Sequence, residues 1–292
     1  MAWVKRFLVL SVAVLAIGAV SMTAFGQESN AAKAKPFYES GKARSAQGDF
    51  DGAIIEFTKV IEIDPKSPLA YAARGNAKLN LGALDEAIAD FSKAIEIDPS
   101  RFIPYLNRGA AKVDKGDIDG AIADYTKVLT LDPKSVLAYR NRGCALQQKG
   151  DLEGARSDFQ QAIQLANDEG AYQRFYLYLL GQKQKPRPLP TELKATVARW
   201  KDGWKKTVGL FLTGEIDEGA LMEQAAHGTP KAVREQKCEG FYYAGVIKLT
   251  RGETAAAKEL LERCVATQLH TFPEFQLARA ELANIGHLEK AK

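Results

Sequence analysis

The sequence predicts an all-α chain, a right-handed solenoid of stacked helix-turn-helix units closed by a C-terminal capping helix. Two observations predict it. One pattern returns every 34 residues across residues 34–167, as expected where each unit is too small to bury its own apolar face. Helix punctuation also recurs at fixed places within each unit. Asp64-Pro65, Asp98-Pro99 and Asp132-Pro133 close successive units, because Pro cannot continue a helix and restricts the residue before it. Asn167 stands where the fourth proline would be.

Each element of the unit has a physical reason. Phe37, Tyr71, Tyr105 and Tyr139 each precede a glycine by four residues, at Gly41, Gly75, Gly109 and Gly143. These small residues let two antiparallel helices approach. Gly48, Gly82, Gly116 and Gly150 fall mid-unit, where the first helix must stop and the chain reverse. Asp49, Asp117 and Asp151 follow directly and suit the positive end of the second helix. Ala53 with Phe57, Ala87 with Phe91, Ala121 with Tyr125 and Ala155 with Phe159 place a small residue and an aromatic on that helix. The pattern resembles the tetratricopeptide-repeat (TPR) family at nearly every signature position over four units. That resemblance implies a protein-binding solenoid of about a dozen helices with no sheet.

One position departs from the family. Arg74, Arg108 and Arg142 occupy a site usually held by Leu, while the first unit has Ser40. An acid precedes the second aromatic in each unit: Glu56, Asp90, Asp124 and Asp158. The first unit has no predecessor and no arginine. Arginine is therefore expected to pair with the acid of the preceding unit, Arg108 lying nearer Asp90 than Asp124; pairing within a unit is the alternative.

Residues 1–26 read as a secretory signal peptide. Lys5 and Arg6 precede an apolar run from Phe7 to Val20, and Ala24-Phe25-Gly26 offers a small-residue cleavage site. The run is short for a membrane span, which takes about 20 residues, so a cleaved, soluble periplasmic form is expected over an uncleaved anchor. Lys5 and Arg6 account for two of the formal charges in the net +4, so no field suited to nucleic acid follows.

After the fourth unit the pattern loosens, so residues 168–228 read as a helical insertion with a Pro-rich linker and 229–292 as a fifth, degenerate repeat plus cap. Tyr172, Phe175, Tyr176, Leu179 and Leu180 have helical spacing and should cover the fourth unit. Gln182–Pro190 reads as a linker. Val197, Trp200, Trp204, Val208 and Phe211 predict one amphipathic helix whose other face carries Lys194, Lys201 and Lys205. Glu215–Ala226 follows as a helix. Phe241, Gly245, Gly252, Ala257 and Leu261 hold the repeat positions of the fifth unit, and Glu274–Ile285 forms the cap.

The runs Trp204–Ile216, Leu221-Met222, Cys238–Gly245, Cys264–Ala266 and Phe272–Phe275 are similar to the C-terminal region of the lipoprotein NlpI family. That resemblance implies a dimeric periplasmic adaptor bringing peptidoglycan hydrolases to a C-terminal processing protease. Two departures stand out. No lipidated cysteine follows the leader, and Lys205 replaces the proline that often follows the tryptophan.

The cysteines Cys144, Cys238 and Cys264 leave one pair and one single thiol. Cys238 should open the first helix of the fifth repeat and Cys264 end the second, so their ends lie together. Either a disulfide or two buried thiols fits.

Nothing in the chain predicts catalysis. His227, His270 and His287 are scattered and lack metal-ligand spacing, and no phosphate-cradling loop or nucleophile elbow appears. Cys264 with His270 is the sole conceivable nucleophile pair. No cofactor or metal is expected. Two functions remain: an adaptor holding proteins or extended peptides in the solenoid groove, and a structural assembly subunit of an envelope complex. The family's groove positions map to Tyr38, Lys42, Asn76, Leu106, Asn107, Arg140, Asn141 and Gln147. Asn suits a peptide backbone, and Arg140 or Lys42 a carboxylate, both cations being expected at the surface. Asn107 and Asn141 equally suit ties between neighbouring repeats.

Overall fold

A computed structural model of the chain describes residues 29–166, 170–184, 191–270 and 272–290. The expected signal peptide at 1–26, Asn167, and Pro186, Pro188 and Pro190 of the expected linker lie outside the described residues. Among those described there are fifteen α-helices and no strand. The excess over a dozen comes from three short helices in the insertion. The chain divides into two compact units, one ending at Ser67 and one starting at Pro68.

The first unit holds α1 (Asn30–Gln47) and α2 (Phe50–Ile63). The second holds three repeat hairpins: α3 (Pro68–Asn80) with α4 (Leu84–Ile97), α5 (Phe102–Lys115) with α6 (Ile118–Leu131), and α7 (Val136–Lys149) with α8 (Leu152–Ala166). The insertion follows as α9 (Ala171–Gln184), α10 (Thr191–Arg199), α11 (Trp204–Leu212) and α12 (Glu218–Gln224). The last hairpin is α13 (Pro230–Thr250) with α14 (Thr254–Val265), and α15 (Pro273–Lys290) ends the described chain.

The repeat punctuation acts as its residue types require. Gly48, Gly116 and Gly150 sit at φ of 82°, 91° and 90° as C-caps of α1, α5 and α7, a left-handed turn that favours Gly. Asp49, Asp117 and Asp151 accept the backbone N–H three residues on. The second repeat has Ala83 there and no side-chain cap. A Cβ on Gly41, Gly75, Gly109 or Gly143 would come within 2.6–2.9 Å of the ring of Phe57, Phe91, Tyr125 or Phe159. Each glycine is therefore the socket for the second aromatic of its own hairpin.

The fifth hairpin keeps the plan with other residues: Gly245 faces Leu261, and Gly252 turns at φ 78°. Its first helix is longer than a repeat helix, so Cys238 lies mid-helix rather than at the start. The insertion also departs from expectation. The stripe from Val197 to Phe211 is two helices, not one, because Gly203 at φ 143° and ψ 178° breaks it. Asp217 caps α12 through the Ala220 N–H, so that helix starts three residues later than read. Phe175, Tyr176, Leu179 and Leu180 do cover the fourth repeat: all are buried, and Tyr176 lies 5.5 Å from Phe159.

Candidate functional site

In the second, third and fourth repeats the arginine lies on the face of the first aromatic and forks onto the acid of its own hairpin. Arg74, Arg108 and Arg142 stand 5.6–5.8 Å from the ring centroids of Tyr71, Tyr105 and Tyr139. Arg108 Nε and Nη2 reach Asp124 Oδ2 and Oδ1 at 2.9 and 2.7 Å, and Arg74–Asp90 and Arg142–Asp158 repeat the geometry. The expected pairing of Arg108 with Asp90 is therefore wrong. The Gly109–Tyr125 contact, one residue along both helices, already sets the register that brings Arg108 to Asp124. What crosses between repeats is a hydroxyl: Arg108 Nη1 donates to Ser92 Oγ at 3.0 Å and Arg142 Nη1 to Thr126 Oγ1 at 3.1 Å. The Asp90 hydrogen bond holds the Arg74 guanidinium above its usual range, and Asp158 does the same for Arg142.

The mapped groove residues do not form an open peptide site. In the first unit, Tyr38 packs on Phe57 at 5.7 Å, and exposed Lys42 pairs with Glu39 at 3.1 Å. In the second, Asn107 Nδ2 donates to Asn76 Oδ1 at 2.8 Å, which ties adjacent repeats. Leu106 packs with the Tyr105–Val128 cluster. Asn141 Oδ1 accepts from Arg140 Nε at 3.3 Å, and Gln147 is half-buried.

Arg140 is not exposed, as a surface carboxylate clamp would require. It is half-buried and lines a cavity whose other walls are Tyr172, Glu239, Phe272, Pro273 and Glu274. Burial alone would depress its guanidinium, but Tyr176 and Glu274 outweigh that and raise it.

The chain's own C-terminal segment occupies this inner face. Asp114 on α5, fully buried at its side chain, accepts from His270 Nδ1 at 2.6 Å and pairs with Arg279. Arg279 Nη1 also donates to the Asp114 carbonyl at 2.8 Å. Gln276 Nε2 donates to the carbonyls of Ala110 and His270. Glu274 Oε1 accepts from the hydroxyls of Tyr176 and Tyr243. In the sequence, Tyr176, His270 and Glu274 stand out in other roles, whereas Asp114, Gln276 and Arg279 do not stand out.

A larger cleft of about 710 Å³ opens between α9 and the α10–α11 turn, lined by Tyr172, Arg199, Trp200, Lys201, Trp204 and Lys205 among others. Trp204 Nε1 at its floor donates to Glu239 Oε2 at 2.7 Å. Of the basic face read there, Lys201 and Lys205 are exposed, and Lys194 lies 3.9 Å from Glu215.

Cys238 and Cys264 meet, their Sγ atoms 3.5 Å apart, both buried and both thiols. The hydrogen bond with Cys238 and burial push the Cys264 thiol far up, which disfavours its thiolate. His270 is engaged by Asp114 and packs on Phe275 rather than on Cys264. Among the described residues no group of three His, Cys, Asp or Glu is placed to hold a metal ion, and no helix is long and apolar enough to cross a membrane.

A family profile described as TPR repeat matches residues 41–82, 75–116 and 111–150, and one described as tetratricopeptide repeat matches 136–169. Among solved structures, a double mutant of MamA RS-1 is 21% identical over 57% of this chain and 93% of its own, with a TM-score of 0.52. MamA from residue 41 to the end, of Desulfovibrio magneticus RS-1, is 19% identical over 63% and 97%, with a TM-score of 0.51. The first TPR of Spaghetti (RPAP3), solved with an HSP90 peptide, is 28% identical over 43% and 98%, with a TM-score of 0.41. The MamA likenesses are likenesses of fold. The profile matches and the recurring glycine sockets agree residue by residue: positions 41–169 are tetratricopeptide repeats.

Proposed function

We propose that this chain is a non-catalytic periplasmic adaptor that binds protein partners along the edge of its repeats. The observation that carries the reading is a ladder of exposed aliphatic side chains. Leu69, Ile103 and Leu137 are each the second residue of α3, α5 and α7, spaced 34 apart, and are 47%, 52% and 48% exposed. Phe102 adds a fourth at 38%. One large apolar group per repeat in the same place is a contact surface rather than scattered exposure. Asn76, Asn107 and Asn141 are by contrast hydrogen-bonded within the chain.

The signal-like leader supports export. The likeness of the C-terminal half to the lipoprotein NlpI family supports partners of one kind, peptidoglycan hydrolases delivered to a processing protease, with a dimeric adaptor between them. The test places a photo-crosslinking amino acid at position 103 in living cells and compares wild type with a Leu69→Ser, Ile103→Ser, Leu137→Ser variant for hydrolase turnover. Envelope hydrolase or protease crosslinks, and altered hydrolase turnover in the folded variant, are expected. Peptidoglycan or protein hydrolysis by the isolated chain would overturn the adaptor reading.

A further inference from the structure

The segment that covers the inner face also lines the cavity of about 180 Å³ at Arg140. Its charges are not joined to one another. Arg140 makes one hydrogen bond to the protein, from Nε to Asn141, so neither Nη atom has an acceptor among the described residues. Glu274 is 3% exposed and spends Oε1 on Tyr176 and Tyr243, leaving Oε2 without a described partner. Glu239 is 8% exposed, accepts from Trp204 and bonds Tyr172. Burial and the nearby Glu274 push the Glu239 carboxyl up, to about 8. The cavity presents the Arg140 guanidinium and the Glu274 and Glu239 carboxyl groups, with Phe272, Pro273 and Tyr172 as apolar wall. The Arg140 Nη atoms and Glu274 Oε2 are thus the groups on the cavity wall left for a ligand to engage, and one ligand that pairs with both gains two charge-assisted hydrogen bonds.

We propose that this cavity binds a small free α-amino acid as its zwitterion, carboxylate on Arg140, ammonium on Glu274 and side chain against Phe272, Pro273 and Tyr172. A simple anion gains Arg140 but meets Glu274, and a simple amine gains Glu274 but meets Arg140. A zwitterion satisfies both at once. The cavity of about 180 Å³ has room for a small α-amino acid such as alanine. Bound there, the amino acid bridges α7 to the start of α15 and strengthens the hold of the C-terminal segment on the inner face.

The experiment titrates the full chain with glycine, alanine and serine by calorimetry, alongside thermal shift. N-acetylalanine and alaninamide serve as capped controls, each lacking one charge. Saturable binding of at least one amino acid is expected, with a rise in melting temperature. Each cap should lose about tenfold or more, as removal of one charged hydrogen-bonded contact implies. Arg140→Met and Glu274→Gln should lose a similar factor. The capped ligands keep the test valid if either variant fails to fold. No saturable binding of any of the three amino acids would overturn the proposal, as would capped forms binding equally well or undiminished alanine binding by folded Arg140→Met.

Discussion

Replacing Asp124 by Ala tests the hairpin fork directly. Asp124 is 6% exposed at its side chain and receives Arg108 Nε and Nη2 at 2.9 and 2.7 Å and Lys112 Nζ at 2.9 Å. Exposed ion pairs contribute about 0–1 kcal/mol, and breaking a buried one costs about 3–5 kcal/mol. Arg108 and Lys112 each keep 19% exposure, so the stranded cations regain some water and the loss belongs near the lower figure, about 3 kcal/mol. With an m-value of about 2 kcal/mol/M, the urea midpoint falls by roughly 1.5 M. The discriminating measurement is a pair of double-mutant cycles followed by circular dichroism. Arg108→Met with Asp124→Ala should show a coupling of about 2 kcal/mol. Arg108→Met with Asp90→Ala should add within about 0.5 kcal/mol, as for groups that do not touch. A coupling to Asp90 as large as that to Asp124 would refute the assignment within the hairpin.

Three other outcomes follow from the packing. Gly109→Ala should destabilise by about 1–3 kcal/mol despite Ala's better helix propensity, because its Cβ would lie 2.6 Å from the Tyr125 ring, whereas Gly181→Ala in α9 meets nothing within 4 Å and should gain up to about 1 kcal/mol; thermal denaturation of both variants reads the difference in sign. Glu239, raised in the folded state from 4.5 to about 8 by burial and Glu274, binds its proton more tightly folded than unfolded, so its contribution is full below about pH 4.5 and is lost as pH rises through about 8. Melting temperature should fall across that window in wild type and be flatter in Glu239→Gln. Protein taken from an oxidising envelope compartment should show one alkylatable thiol after denaturation without reductant, Cys144, because Cys238 and Cys264 stand 3.5 Å apart across 26 residues; a bridge closing that loop adds about 3 kcal/mol, and three alkylations would rule it out.

The repeats were legible because their constraints are local and periodic. Gly109 must be small because Tyr125 fills its space, and Gly116 must turn left-handed, so both residue types recur at the same offset in every unit. The partner of Arg108 was not legible in the same way. Asp90 and Asp124 lie at nearly equal sequence separations from it, and three-dimensional register alone chooses between them. The break at Gly203 was hidden because apolar spacing continues across it from Val197 to Phe211. The site at Arg140 was least legible. Its cover comes from residues 272–274, and the Asp114 contacts that anchor this segment span 156 and 165 residues. No local pattern encodes such a pairing.

That anchoring bears on how partners bind. A segment tethered in the same chain competes at an effective concentration of order mM. Here it is also fixed by the buried Asp114, by Gln276 on a backbone carbonyl and by Glu274 under two tyrosine hydroxyls. A partner peptide seeking the same face must replace every one of those contacts, since a buried acceptor left unpaired costs about 1–3 kcal/mol. A partner docking on Leu69, Ile103 and Leu137 displaces nothing but water and gains apolar burial outright. Within residues 68–292 the energetics therefore favour the edge of the repeats over the inner face. On that ground the ladder, rather than the groove positions mapped from the repeat pattern, is the first surface to mutate.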